Sequence, residues 1–246
     1  QRIQSALLPQ EQFVKFLFSD SFILYKPRDV VSGDFYFVDE IKTAEEHWRY
    51  FACVDCTGHG VPGAFMSMIG DTLLYKIIRD EGLRDPSYIL EALHFGVRTA
   101  LKQNTTDNQD GMDLAFVAVD MREKQLHFAG ATNPLVYIQD GELHLIKGDR
   151  RHVGGKHIRE PKAFTCHQIS LDNPPWVYLH TDGFPDQFGG PQHQKFMAKR
   201  LRDLLHRIHE LPFEEQHHEL SRLLSEWMQD ERQIDDILVM GVKLDL

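Results

Sequence analysis

An α+β fold, with helices covering antiparallel sheets, is what this sequence predicts, and three observations predict it. Strand-like runs outnumber helical ones. The helical runs fall in adjacent pairs instead of alternating with single strands. Asp140-Gly141, between β-like runs over 135–138 and 142–146, is a strong hairpin signal.

The chain opens on a lead-in over residues 1–18. Leu7, Leu8, Phe13, Phe16 and Leu17 give it an apolar side and Pro9 breaks it, so a helical end, a break and a short approach segment are expected. Residues 22–25 read as a strand and Lys26-Pro27-Arg28-Asp29 as a turn. Ser32-Gly33-Asp34 precedes a second strand over 35–38. A third, over 49–54, ends at Asp55. Glycines 58, 60 and 63 come next, and Pro62 suits the first turn of a helix. Met66, Ile69, Leu73, Leu74, Ile77 and Ile78 carry that helix's period. Gly82 and Asp85-Pro86 stop it and start another through Ile89, Leu90, Leu93, Val97 and Leu101. Further β-like runs cover 114–119, 125–129 and 163–169, with Val153-Gly154-Gly155 as a loop. Residues 176–180 form a strand ending in Thr181-Asp182-Gly183. Runs over 196–208 and 213–227 are helical by pattern, and 237–244 closes the chain as a strand after Asp235-Asp236. No low-complexity linker divides the chain, so 19–246 is expected to be one domain.

Bulk composition narrows the classes of function. The formal net charge of -10 argues against a nucleic-acid footprint. No run of about 18 apolar residues is present to span a membrane. The three cysteines are too few and of odd number for a disulfide framework, which suits a reducing compartment. Cys53 and Cys56 form a C-x-x-C, but Cys53 lies inside an apolar strand, where it behaves as a small hydrophobe. The first residue is Gln1, which reads as a piece of a longer protein.

Carboxylates at strand ends carry the chemistry. Asp34 precedes one strand, Asp55 and Asp182 follow two others, and Asp235 and Asp236 precede the last. Strand ends put side chains on a sheet's rim, where residues distant in sequence converge. A cluster rich in carboxylate and poor in histidine selects hard cations such as Mg²⁺ or Mn²⁺. Cations so held would activate a water for in-line attack on a phosphomonoester, with no covalent phosphoenzyme. Three other phosphate chemistries do not fit. The glycine run does not end in Gly-Lys-Ser/Thr, neither Asp34 nor Asp55 begins an Asp-x-Asp, and none of the cysteines opens a C-x₅-R.

The motifs, taken together, resemble those of the PPM group (protein phosphatase 2C-like) of metal-dependent serine/threonine phosphatases, in its bacterial SpoIIE and RsbU-like branch. The matching pieces stand in the family's order: Pro27 with Ser32-Gly33-Asp34-Phe35-Tyr36; Val54-Asp55-Cys56-Thr57-Gly58-His59-Gly60; Phe128-Ala129-Gly130-Ala131-Thr132-Asn133-Pro134; Thr181-Asp182-Gly183-Phe184; and Asp235-Asp236-Ile237-Leu238-Val239. Ala6-Leu7-Leu8-Pro9 resembles the segment leading into such domains.

The resemblance implies an αββα sandwich, two antiparallel β-sheets flanked by helices, holding two or three Mg²⁺ or Mn²⁺ ions. It makes Asp55 the carboxylate bridging two metals, with Asp34 upstream of it, the Cys56 carbonyl as a backbone ligand, and Asp182 and Asp235 on the second metal. Asp236 would replace Asp235 after a one-residue shift. Asp55 and Asp182 are the expected catalytic centre. His59 could protonate the leaving oxygen or be a turn residue, and Arg28 could contact phosphate or be a solvated turn residue. Two positions depart from the family: Asp55-Cys56 stands for Asp-Gly, and Asp-Asp-Ile-Leu for Asp-Asp-Met-Thr.

The implied substrate is a phosphorylated STAS-like (anti-sigma-factor antagonist-like) regulatory protein. The implied setting is a cytoplasmic output domain beneath a missing sensor, in a full-length protein that is free or anchored in the inner membrane. The resemblance also implies a homodimer formed through the linker and the switch helices after Pro62. Competing readings are a catalytically silent phosphoprotein-binding module and a small-molecule phosphomonoesterase. The complete acidic set favours an enzyme over the silent module.

Overall fold

The computed structural model describes residues 2–155 and 162–244. Gln1 of the expected lead-in lies outside them. The lead-in forms two short helices, α1 (Arg2–Leu7) and α2 (Glu11–Leu17), so the expected approach segment is helical. Strands β1 (Ser21–Lys26), β2 (Phe35–Lys42) and β3 (His47–Cys56) follow. The helical pair is α3 (Gly60–Tyr75), continued by a π-helical turn at Lys76–Asp80, and α4 (Pro86–Ala100). Asp85 caps α4 by accepting from the Ser87 N–H at 2.7 Å, with Pro86 in the first turn.

Next come β4 (Gly111–Asp120), β5 (Gln125–Ala131), β6 (Leu135–Gln139) and β7 (Glu142–Ile146). Val153–Gly154, expected as loop, is a two-residue strand, β8. The strand expected from residue 163 begins only at β9 (His167–Ser170). After β10 (Trp176–His180) comes the single-turn α5 (Gly183–Asp186), then the small hairpin β11 (Phe188–Gly189) and β12 (Gln194–Lys195). Helices α6 (Ala198–Ile208) and α7 (Phe213–Met228) and strand β13 (Ile237–Lys243) complete the chain.

The strands form two antiparallel sheets. One has the order β1-β13-β10-β6-β7. The other runs β2-β3-β4-β5-β9, with β8 paired to β4. Both faces of each sheet are covered, and strand alternation shows how. On β3, Tyr50, Ala52 and Val54 join Met66, Leu74, Ile89 and Leu93 beneath α3 and α4. The intervening Phe51 and Cys53 turn to the other sheet and meet Leu238, Met240 and Val242 of β13. On β13, Ile237 and Val239 face Leu201, Leu205, Leu220 and Leu224 under α6 and α7. The layers are therefore helix, sheet, sheet, helix: the αββα sandwich implied by the resemblance.

This layering also decides the C-x-x-C. Cys53 packs between the sheets and Cys56 packs under α3, so the two thiols lie on opposite faces of one strand. Both are free and buried, and burial raises both thiols well above their ordinary range.

The lead-in is tied to the sandwich through one amide. Gln4 accepts from the Ser32 N–H at 3.0 Å and donates to the Ser32 carbonyl at 2.5 Å and to Ser67 Oγ of α3 at 3.0 Å. One side chain thus joins α1, α3 and the loop that leads to Asp34.

Candidate active site

At one end of the sandwich, strand ends from both sheets converge. Asp55 is the penultimate residue of β3, where an aspartate just beyond the strand was expected. Asp182 follows β10 by two residues, and Asp235 precedes β13 by two. These three carboxylates line one cavity of about 440 Å³, together with Cys56, His59, Asp113 and His152. Among the described residues, neither lysine nor arginine lines it.

Close backbone packing shapes the wall beside Asp55. A Cβ on Gly33 or on Gly63 would collide with the Gly58 carbonyl, and one on Gly33 would stand 3.2 Å from the Cys56 carbonyl. Only glycine lets the loop before Asp34 press against the turn after Asp55.

The remaining candidates take different places. Asp34 lies behind the cavity, 3% exposed, where its Oδ2 accepts from Thr181 Oγ at 2.6 Å. Asp236 turns away from Asp235. Its Oδ1 accepts from the Arg28 N–H at 2.8 Å and its Oδ2 from the Gly33 N–H at 2.7 Å, so it clamps the Asp34 loop to the start of β13. The Arg28 guanidinium donates to the Ile234 carbonyl at 2.9 Å and lies 3.5 Å from Asp29. His59 Nδ1 is 2.9 Å from Asp29 Oδ2.

Reading by strand ends missed Asp113 and His152. Asp113 carried the same signal, standing just before the run expected at 114–119. It is the direct cross-strand partner of Asp55. His152 carried no signal, because its place depends on the pairing of β8 with β4.

Electrostatics define the cavity. Burial, then the neighbouring Asp182, Asp235 and Asp113, push the Asp55 carboxyl up to about 8. Burial and then Asp55 raise Asp34 well above the usual carboxylate range, against the opposing Thr181 hydrogen bond. Burial and Asp235 raise Asp182. Burial raises Asp113, and His152 opposes that rise. Carboxylates gathered without a lysine or arginine suit hard divalent cations bound through oxygen. Among the described residues, no three acidic, cysteine or histidine side chains already enclose a common point. An ion held by one or two carboxylates with waters completing its shell is the usual manner for Mg²⁺.

A two-sheet sandwich with such a cavity across the rims of both sheets defines a PP2C-type phosphatase. Comparison with known proteins agrees. The model of the Stage II sporulation protein E (SpoIIE) family matches residues 46–245. The SiaA-PP2C domain of Pseudomonas aeruginosa is 37% identical, with a TM-score of 0.86 over 99% of this chain and 93% of that one. The PP2C domain of Bacillus subtilis SpoIIE, solved with a fragment of its regulatory domain, is 17% identical. Its TM-score is 0.69, covering 92% of this chain and 63% of that one. RsbX, solved in complex with magnesium, is 14% identical with a TM-score of 0.59 over 92% of this chain and 94% of that one. No curated protein sequence matches the chain. The chain belongs to the SpoIIE family of PP2C-like, metal-dependent protein serine/threonine phosphatases.

Proposed function

We propose that this domain hydrolyses phosphoserine or phosphothreonine on a small STAS-like regulatory protein, as the output domain of a larger signalling protein. One observation carries the placement of the reaction: Asp55, Asp182 and Asp235, from three strands of two sheets, face one cavity that no lysine or arginine among the described residues neutralises. In this reading Asp55, Asp182, Asp235, the Cys56 carbonyl and Asp34 hold two or three Mg²⁺ or Mn²⁺ ions. When bound, these supply positive charge for the phosphoryl oxygens and an activated water. The chain's own groups do the rest. Thr181 holds the Asp34 carboxylate, and Asp236 fixes the loop that carries it. His59, on the cavity wall, is held by Asp29, which Arg28 also approaches.

The STAS-like substrate rests on the family resemblance. The same resemblance supports a homodimer formed through the lead-in and the α3/α4 pair, beneath an upstream sensor that is free or anchored in the inner membrane. The exposed Phe65, Tyr88 and Phe95 on α3 and α4 also favour that dimer.

The test is phosphate release from a phosphoserine peptide and from p-nitrophenyl phosphate, in EDTA, Mg²⁺ or Mn²⁺, for the parent and Asp182→Ala. Metal-dependent release that disappears in the variant is expected. Release that survives EDTA or Asp182→Ala would overturn the reading.

A further inference from the structure

We propose that His152 donates the proton to the departing serine or threonine oxygen, with Asp113 as its positioning residue. The proposal rests on the carboxylate cavity being the reaction centre.

The strand pairing sets up the arrangement. Asp55 of β3 is the register partner of Asp113 of β4. Strand β8 pairs with the other edge of β4, Val153 opposite Met112 and Gly154 opposite Gly111. One step back along that register brings residue 152 opposite Asp113, and His152 Nδ1 makes a short hydrogen bond to Asp113 Oδ1. Asp55 and Asp113 on neighbouring strands, and His152 just before β8, thus stand in a row, all on the cavity.

The segment bearing His152 is anchored on both sides. Arg151, 7% exposed, makes a two-pronged ion pair with Glu91 of α4, with the second prong at 2.9 Å, and its guanidinium lies 4.2 Å over the Phe164 ring. The Gly154 N–H donates to His94 Nδ1 at 3.0 Å, and the Gly155 N–H to Gln103 Oε1 at 2.9 Å. With Arg151 and Val153 both directed inward, alternation directs His152 to the cavity, where its side chain is 67% exposed. A carboxylate accepting from Nδ1–H fixes that tautomer and leaves Nε2 as the nitrogen that meets the leaving oxygen. His59, the other histidine on the cavity among the described residues, takes its carboxylate from Asp29, outside this row. The titratable groups lining the cavity with His152 are Asp55, Cys56, His59, Asp113, Asp182 and Asp235.

The step balances as follows. The P–Oγ bond breaks and its electron pair leaves with Oγ, which takes the Nε2 proton of the imidazolium. An incoming water forms the new P–O bond and releases its proton to solvent. His152 regains a proton from solvent, so each turnover consumes one water.

Loss of a proton donor is felt by a poor leaving group and little by a good one. Turnover of a phosphoserine peptide and of p-nitrophenyl phosphate is therefore measured with Mn²⁺ for the parent, His152→Gln and His59→Gln. His152→Gln is expected to lose about 10²-fold on the peptide and under about 10-fold on p-nitrophenyl phosphate, with no such split in His59→Gln. Imidazole nitrogen NMR of the metal-free protein is expected to report the Nδ1–H tautomer at His152, lost in Asp113→Asn. Equal losses on both substrates, a split in His59→Gln, or an Nε2–H tautomer would each overturn the assignment. A parent protein with no metal-dependent turnover of either substrate would overturn the cavity reading and this assignment with it.

Discussion

Two groups of carboxylates in this molecule are treated in opposite ways. Under the π-helical end of α3, Asp39 is 1% exposed and Arg79 covers it. Arg79 Nε donates to Asp39 Oδ2 at 2.9 Å, with a second, shorter prong to Oδ1. At the cavity, Asp55, Asp113, Asp182 and Asp235 meet with two exposed histidines, His59 and His152, and among the described residues no guanidinium. The first group is complete as folded. The second repels itself, and no lysine or arginine among the described residues of the lining offsets it. A carboxylate with its own cation belongs to the architecture, and a cluster without one is held open for something to bind.

The largest expected effect sharpens the functional side of that contrast. Asp55→Asn should lower metal-dependent phosphate release by at least about 10²-fold. In EDTA the same variant should melt no lower than the parent, because it removes a self-repelling charge. Parallel activity assays and thermal melts check both halves. A variant that loses stability in EDTA would show that Asp55 is structural.

Arg79→Ala tests the structural side. It strands Asp39 under a partly exposed partner and should cost about 2–3 kcal/mol in urea unfolding. Arg79→Met with Asp39→Asn should recover most of that loss, and a double variant as weak as the single one would break the contrast.

Asp71 of α3 lies between the two cases. Burial and then Asp39 raise its carboxyl to about 6. The folded protein therefore binds more protons than the unfolded chain between about pH 4 and 6, and stability falls as pH rises through that window. Asp71→Asn should remove on the order of 3 kcal/mol of that fall, measured as midpoint denaturant concentration against pH.

The smallest effect concerns a neutral clamp. Gln4→Ala removes three hydrogen bonds at Ser32 and Ser67 and should cost about 1 kcal/mol, with faster amide exchange around Ser32–Asp34 as its signature. Unchanged exchange would show that α1 does not steady the Asp34 loop.

How much of this was legible depended on whether the relevant physics was local. Asp182 and Asp235 could be placed because an apolar run and its polar end are neighbours in sequence. The α4 boundaries followed from Asp85-Pro86 for the same reason. Two-sided burial hid the architecture: β3 and β13 read as continuous apolar runs because both faces are covered, which erases alternation. The pattern thus stopped at α+β, and the resemblance supplied the sandwich. Asp113 was legible by the strand-end rule yet passed over. His152 was not legible, since a two-residue strand bound to β4 leaves no pattern of its own. The four-residue α5 and the helical form of α2 were missed because single turns depend on their packing more than on their composition.

The cavity is built from both sheets at once. Asp55 and Asp113 ride on one, while Asp182 and Asp235 flank strands of the other. The sheets meet chiefly through apolar side chains, such as Phe51 and Cys53 against Met240 and Val242. Within a sheet, hydrogen bonds fix the spacing of its carboxylates. Between sheets, interlocked apolar groups do, pinned at the cavity end by Thr181 on Asp34 and Asp236 on the Gly33 N–H. The gap between the two carboxylate pairs is therefore set by how the two sheets seat on one another, and a core residue far from the cavity shares in fixing it.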